Sequence, residues 1–254
     1  MTREAVYLYA IADSDLAEAE VAALRAVDDS SVQVIIEAPV AAVVSAVSAD
    51  RFSAAALREN LEDLQWLEGI ARAHNTVVSE LARRRPVAPV RLATVFVNDE
   101  NVRDLLRIRA QEFLGALDRV RGHCEWAVKG FLVTDTINTP PPDPTEGLSP
   151  GRSYLERRRA EREGNAQLRQ RAAAEADSVH RRLGDLTAAS KRYPLQDRRL
   201  TGYQDEMVLN AAYLVPEGEP TELRRAVRDS QSSYLRLELA GPWAPYSFAT
   251  LESD

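Results

Sequence analysis

A single cysteine, Cys124, stands in 254 residues, so no disulfide can form within the chain and small disulfide-framed folds are excluded. There are only 11 glycines, and none falls into a phosphate-cradling pattern such as Gly-x-Gly-x-x-Gly. Histidine occurs only at positions 74, 123 and 180, too scattered in sequence to suggest a metal site or a cofactor ligand set. His123 and Cys124 are neighbours, but adjacent strand residues point to opposite faces, the wrong geometry for a nucleophile and its base. No apolar run approaches the ~18 residues of a membrane span. The longest candidate runs only from Ala38 to Val47. The first residues lead straight into Val6-Tyr7-Leu8-Tyr9, a strand rather than a leader, so no export signal is expected. Net charge is -7, and that global field opposes nucleic acid.

What is present is enough for a packed core: 45% of residues are hydrophobic. Alternation predicts a first strand over Ala5–Ala12. Asp13 or Ser14 is placed to cap a helix running to Val27. Val32–Ala38 reads as a strand, and Val40–Val47 as its hairpin partner or a following strand. A long helical stripe then runs through Leu57, Leu61, Leu64, Leu67, Ala71, His74, Val78 and Leu81, widened by Trp66 and Ile70. On that apolar face His74 reads as a core histidine with a hydrogen-bonded ring. Arg83-Arg84-Arg85 suits the helix C-terminus, and Pro86 stops it. Val87–Val97 is extended, with Pro89 favouring an edge or a bulge. Asn98 or Asp99 caps a helix buried at Val102, Leu106, Phe113, Leu117 and Val120, and ended by Gly122.

Gly122 is the expected boundary between an N-terminal α+β domain, residues 1–121, and a C-terminal domain, residues 122–254. The latter reads strand Glu125–Val133, a proline-rich loop over 139–151, a long charged helix over 153–190, strands near 192–200 and 207–215, helix Thr221–Asp229, and strand Tyr234–Leu239. That β-α-β-β-α-β order is ferredoxin-like. The first half is a looser variant of an α/β sandwich. The charge run Glu156–Glu163 mixes signs and reads as a solvated helix face with i,i+4 pairs such as Arg157–Glu161 and Arg159–Glu163. The segment Gly241–Phe248 puts Trp243, Tyr246 and Phe248 into a chain that is 6% aromatic. Physics favours a stiff plug over the core of its own C-terminal domain. The alternative is an exposed patch for a partner. As a plug, a buried Trp243 ring would be worth roughly 3–5 kcal/mol against alanine.

These residues together resemble the gas vesicle protein family GvpL/GvpF. The resemblance is carried by Val6-Tyr7-Leu8-Tyr9, by Leu61-x-x-Leu64-x-Trp66-Leu67 with His74-x-x-Val77-Val78, by Pro89-x-Arg91-x-x-Thr94-Val95-Phe96, and by Glu125-Trp126-x-Val128-Lys129. Gly151-Arg152-x-Tyr154-Leu155 and Gly241-Pro242-Trp243-x-Pro245-Tyr246-Ser247-Phe248 complete it. The family commonly has Phe-Gly where this chain has Leu92-Ala93, Gly where it has Ala127, and Pro where it has Ala244. The resemblance implies a non-catalytic minor gas vesicle protein without cofactors, located at the vesicle and required for its assembly. It implies an adaptor that binds the apolar shell protein and other vesicle proteins, with no nucleic acid or membrane partner. Arg91, Trp243, Tyr246 and Phe248 are the candidate partner-binding residues. A small-molecule-binding or regulatory module is the alternative that a ferredoxin-like fold allows.

Overall fold

The computed structural model describes residues 4–60, 62–133, 150–197, 205–218 and 220–249. It is a mixed α+β structure with two antiparallel sheets, and the chain divides into two compact units. The first comprises residues 1–125 and 242–254, the second residues 126–241. Among the described residues no helix is long and apolar enough to cross a membrane.

The first unit is built on β1 (Glu4–Asp13), which is buried on both faces from Ala5 to Ala12. A short helix α1 (Glu18–Val21) follows, then β2 (Val32–Glu37) and β3 (Val40–Ser48), which pair as the expected hairpin. β3 also pairs antiparallel with β1, and a register shift between Leu8 and Ala10 bulges β1 at Tyr9. Helices α2 (Ala49–Phe52), α3 (Ala54–Asn60) and α4 (Leu64–Ala82) come next. The edge beyond β1 is a broken strand, β4 (Ala88–Pro89) and β5 (Val95–Phe96). Two further bonds, Val90 N–H to Tyr9 O and Leu8 N–H to Thr94 O, keep the intervening turn against β1. This is the interrupted edge that Pro89 implied. Helices α5 (Asp99–Ile108) and α6 (Ala110–Val120) pack on the sheet through Val102, Leu106, Phe113, Leu117 and Val120, the predicted stripe. Strand alternation sends Tyr7 and Leu8 to opposite faces. Tyr7 meets α4 at His74.

Three helical expectations are corrected. The helix expected up to Val27 is only α1, because the Val27 N–H is taken by the Tyr9 hydroxyl at 2.8 Å and Asp28 and Asp29 sit at positive φ. The long stripe beginning at Leu57 is not one helix. Asp63 caps α4 afresh, its carboxylate accepting from the N–H groups of Gln65 and Trp66. Leu64 is therefore exposed, and Ile70, His74, Val77, Val78 and Leu81 form the buried face. Leu61 lies outside the described residues. The helix after Asn98 breaks at Arg109, which has φ -107° and ψ 18°. Arg85 does more than suit a helix end: it reaches Asp15 at 3.0 Å and Glu20 at 3.5 Å.

The second unit contains most of β6 (His123–Leu132), then α7 (Pro150–Gly184), β7 (Ala189–Arg192), β8 (Met207–Pro216), α8 (Pro220–Asp229) and most of β9 (Leu235–Trp243). Its sheet order is β7-β8-β6-β9. Both helices begin on proline, whose missing N–H costs nothing in a first turn. The buried side of α7 carries Ala172, Ala176, Val179 and Leu183 from the expected stripe, and Arg159 pairs with Glu163 at 2.9 Å. The helix ends at Gly184, short of the expected 190, and Leu186 is exposed. The proline-rich loop up to residue 149 lies outside the described residues, as do residues 198–204. Gly130 in β6 is required by packing: a Cβ there would stand 2.8 Å from the Leu209 Cβ. A last helix, α9 (Tyr246–Ala249), belongs to the first unit.

Candidate partner-binding site

Four of the family-like motifs converge inside the first unit. The Tyr7 hydroxyl accepts a hydrogen bond from the Ala93 N–H at 3.1 Å and lies 3.1 Å from His74 Nδ1. Donor and acceptor in the Tyr7–His74 bond are set by the imidazole tautomer. Tyr9 packs 4.8 Å from Tyr7 and 5.6 Å from His74, and its hydroxyl bonds Ser45 at 2.9 Å. Phe52 stands edge-on to Tyr7, and Trp66 lies against Phe52.

Burial sets the charge states of this cluster. It pushes the Tyr7 phenol above its ordinary value, against the lowering influence of the Ala93 N–H. It pulls His74 down to about 4, opposed by the Val90 backbone. Both groups are thus neutral at pH 7. With Tyr7 at 0% and His74 at 3% exposure, water and substrate do not reach them, so the pair is a structural clasp. His74 is the core histidine with a bonded ring that its position on an apolar helical face suggests.

Ala93 sits at φ +60°, a left-handed conformation that costs a side-chain-bearing residue about 1–2 kcal/mol. The family commonly has glycine at this position. The turn delivers the Ala93 N–H to Tyr7, and Thr94 Oγ1 donates to the Arg91 carbonyl at 2.7 Å.

The closing aromatic segment completes the cluster, and its destination corrects an expectation. It does not plug the core of the C-terminal half. Ala244 is buried in the core of the first unit, and the Tyr246 ring lies 6.2 Å from His74. Burial, with the Glu125 carboxylate second, raises the Tyr246 phenol. Phe248 is 7% exposed, and its carbonyl accepts from Arg119 Nη1 at 2.8 Å. The buried Glu125 carboxylate accepts the Ser247 N–H at 2.7 Å and also the Ser247 hydroxyl. Sequence reasoning missed this latch. Its only trace was that Glu125-Trp126 and the closing motif both belong to one family pattern.

The four candidate residues are thus not one patch. Tyr246 and Phe248 are anchors. Trp243 is 48% exposed, so the expected loss of a buried indole is corrected: this ring faces solvent. Arg91 is exposed at the mouth of a pocket of about 210 Å³ with walls from Leu8, Val90, Phe96, Leu105 and Phe113.

The geometry defines a two-unit α+β protein with an aromatic cluster buried in its first unit and an exposed indole and guanidinium on its surface. The match to known proteins gives the family. The model "Gas vesicle synthesis protein GvpL/GvpF" matches residues 5–250, and the chain belongs to that family. It is 39% identical over 215 residues to "Gas vesicle protein L" of Streptomyces sp. (strain CB03234), covering 84% of this chain and 81% of that one. Its fold is similar to the crystal structure of GvpF from Anabaena sp. PCC7120, with TM-score 0.70, 18% identity, and 98% of both chains covered. GvpF from Microcystis aeruginosa is similar at TM-score 0.66 and 18% identity, covering 97% of this chain and 99% of that one.

Proposed function

We propose that this gas vesicle protein is a non-catalytic assembly adaptor that holds the apolar shell protein and other vesicle proteins at the vesicle. The observation that carries the proposal is the pairing of anchored and exposed aromatics in one segment. Tyr246 and Phe248 fix the backbone, Pro242 and Pro245 stiffen it, and Trp243 is left half in solvent. A large side chain presented on an already ordered backbone loses little entropy on docking, which is how interface hot spots work. In the second unit the order β7-β8-β6-β9, with one helix after β6 and another after β8, supports the ferredoxin-like reading.

The test is capture of the co-encoded shell protein by the purified chain, compared with Trp243→Ala. Shell protein retained by the native chain and lost by a variant that melts normally supports the adaptor. No capture by the native chain sinks it.

A further inference from the structure

The pocket at Arg91 has a chemistry of its own. Its volume, about 210 Å³, falls below the roughly 300–1,000 Å³ of drug-sized ligand sites and suits one large side chain. Its walls are mostly apolar, and among the described residues no acidic side chain lines it. Two arginines do, and they differ. Arg109 is occupied: it bonds Glu112 at 2.7 and 3.0 Å and lies over the Phe113 ring. Arg91 makes no ion pair among the described residues, in a chain whose acids outnumber its bases and where many arginines are matched. A planar guanidinium left open beside an apolar hole is arranged to take a carboxylate in two-pronged fashion.

We infer that this pocket is a second docking point, which receives a large apolar side chain with a carboxylate next to it from a partner protein. The inference rests on the adaptor reading and deepens it. Charge complementarity selects the acid, and the apolar walls select its neighbour. Trp243 offers an apolar contact with no charge requirement, whereas the Arg91 pocket discriminates.

The probe is the C-terminal amide of N-acetyl-leucyl-glutamate (the comparison dipeptides are amidated likewise), added to the isotope-labelled full chain and followed by the amide signals of Thr94 and Phe113. Saturable shifts are expected at ~mM concentration, as befits a fragment. N-acetyl-leucyl-glutamine and N-acetyl-alanyl-glutamate should each bind about tenfold more weakly, since a charge-assisted bond and a buried isobutyl group are each worth more than 1.4 kcal/mol. Arg91→Gln, at an exposed position, should reduce leucyl-glutamate to the level of leucyl-glutamine. Equal binding of the three, or none, overturns the inference. So does binding that appears only after residues 250–254 are removed, because Leu251 and Glu252 would then be the occupant in cis. Shell-protein capture that persists while the dipeptide fails overturns this pocket and leaves the adaptor standing. Absence of capture by the native chain removes the adaptor itself.

Discussion

Both units join a strand tyrosine to a helix histidine, and the two joints behave differently. In the first unit Tyr7 of β1 meets His74 of α4 at 3.1 Å; in the second Tyr213 of β8 meets His180 of α7 at 2.8 Å. The ring geometry is also alike, with centroids 5.7 Å apart in each. What differs is the cover. His74 lies under Tyr246 and is buried, whereas His180 is only partly buried and has Arg192 and Arg181 as positive neighbours. Burial is the first cause of a lowered histidine in both, but only the first is driven to about 4. The bond is common to both units. The seal laid over it by the closing segment is what makes one of them a core element.

Loosening the anchored segment that carries Tyr246 is the most severe way to break the comparison. Phe248→Ala should cost roughly 3–5 kcal/mol in chemical denaturation, read from a first-unit probe such as Trp66, while Trp243→Ala should stay within about 0.5 kcal/mol. Equal losses would show that the segment is not anchored as described.

Acid should separate the two joints next. The folded pKa of His74 lies below its unfolded value, so between about 4 and 6.5 the unfolded chain binds the extra proton. Its contribution is complete above pH 6.5 and is lost as pH falls towards about 4, a loss of up to about 3 kcal/mol. His74→Gln should flatten that limb of the stability profile. His180→Gln should alter it much less.

Removing a single hydroxyl sharpens the contrast. Tyr7→Phe leaves the Ala93 N–H and His74 Nδ1 without this partner in a dry site and should cost about 1–3 kcal/mol. Tyr213→Phe leaves His180 near solvent and should cost about 1 kcal/mol or less. Thermal melts of the two variants decide it. The smallest effect is a gain: Ala93→Gly should relieve left-handed strain and stabilise the first unit by less than about 1 kcal/mol.

Much of this was legible in the residues because it is local. The β2–β3 hairpin, the stripe from Val102 to Val120 and the broken edge at Pro89 follow from alternation, helical spacing and a missing N–H. The candidate site was legible only in part. Tyr246 and Phe248 stood out as aromatics, and His74 as a polar residue on an apolar face. Their meeting depends on contacts 67 and 122 residues apart, Tyr7 with His74 and Glu125 with Ser247, which no periodicity encodes. The failed helix before Val27 has the same origin. A distant hydroxyl on Tyr9 outbids the local carbonyl for the Val27 N–H, and nothing within the segment announces it.

The chain leaves its first unit at Glu125 and re-enters it at Pro242. On the ribosome this reverses the usual order, in which the earliest-made domain settles first. The middle of the chain can fold as soon as it emerges, while the unit begun by the first strand waits for its final clasp. Until Ser247 arrives to meet Glu125, and Tyr246 comes to lie beside His74, that unit keeps an open apolar flank. Completion of the first unit therefore waits for a segment that is made only after the whole of the second.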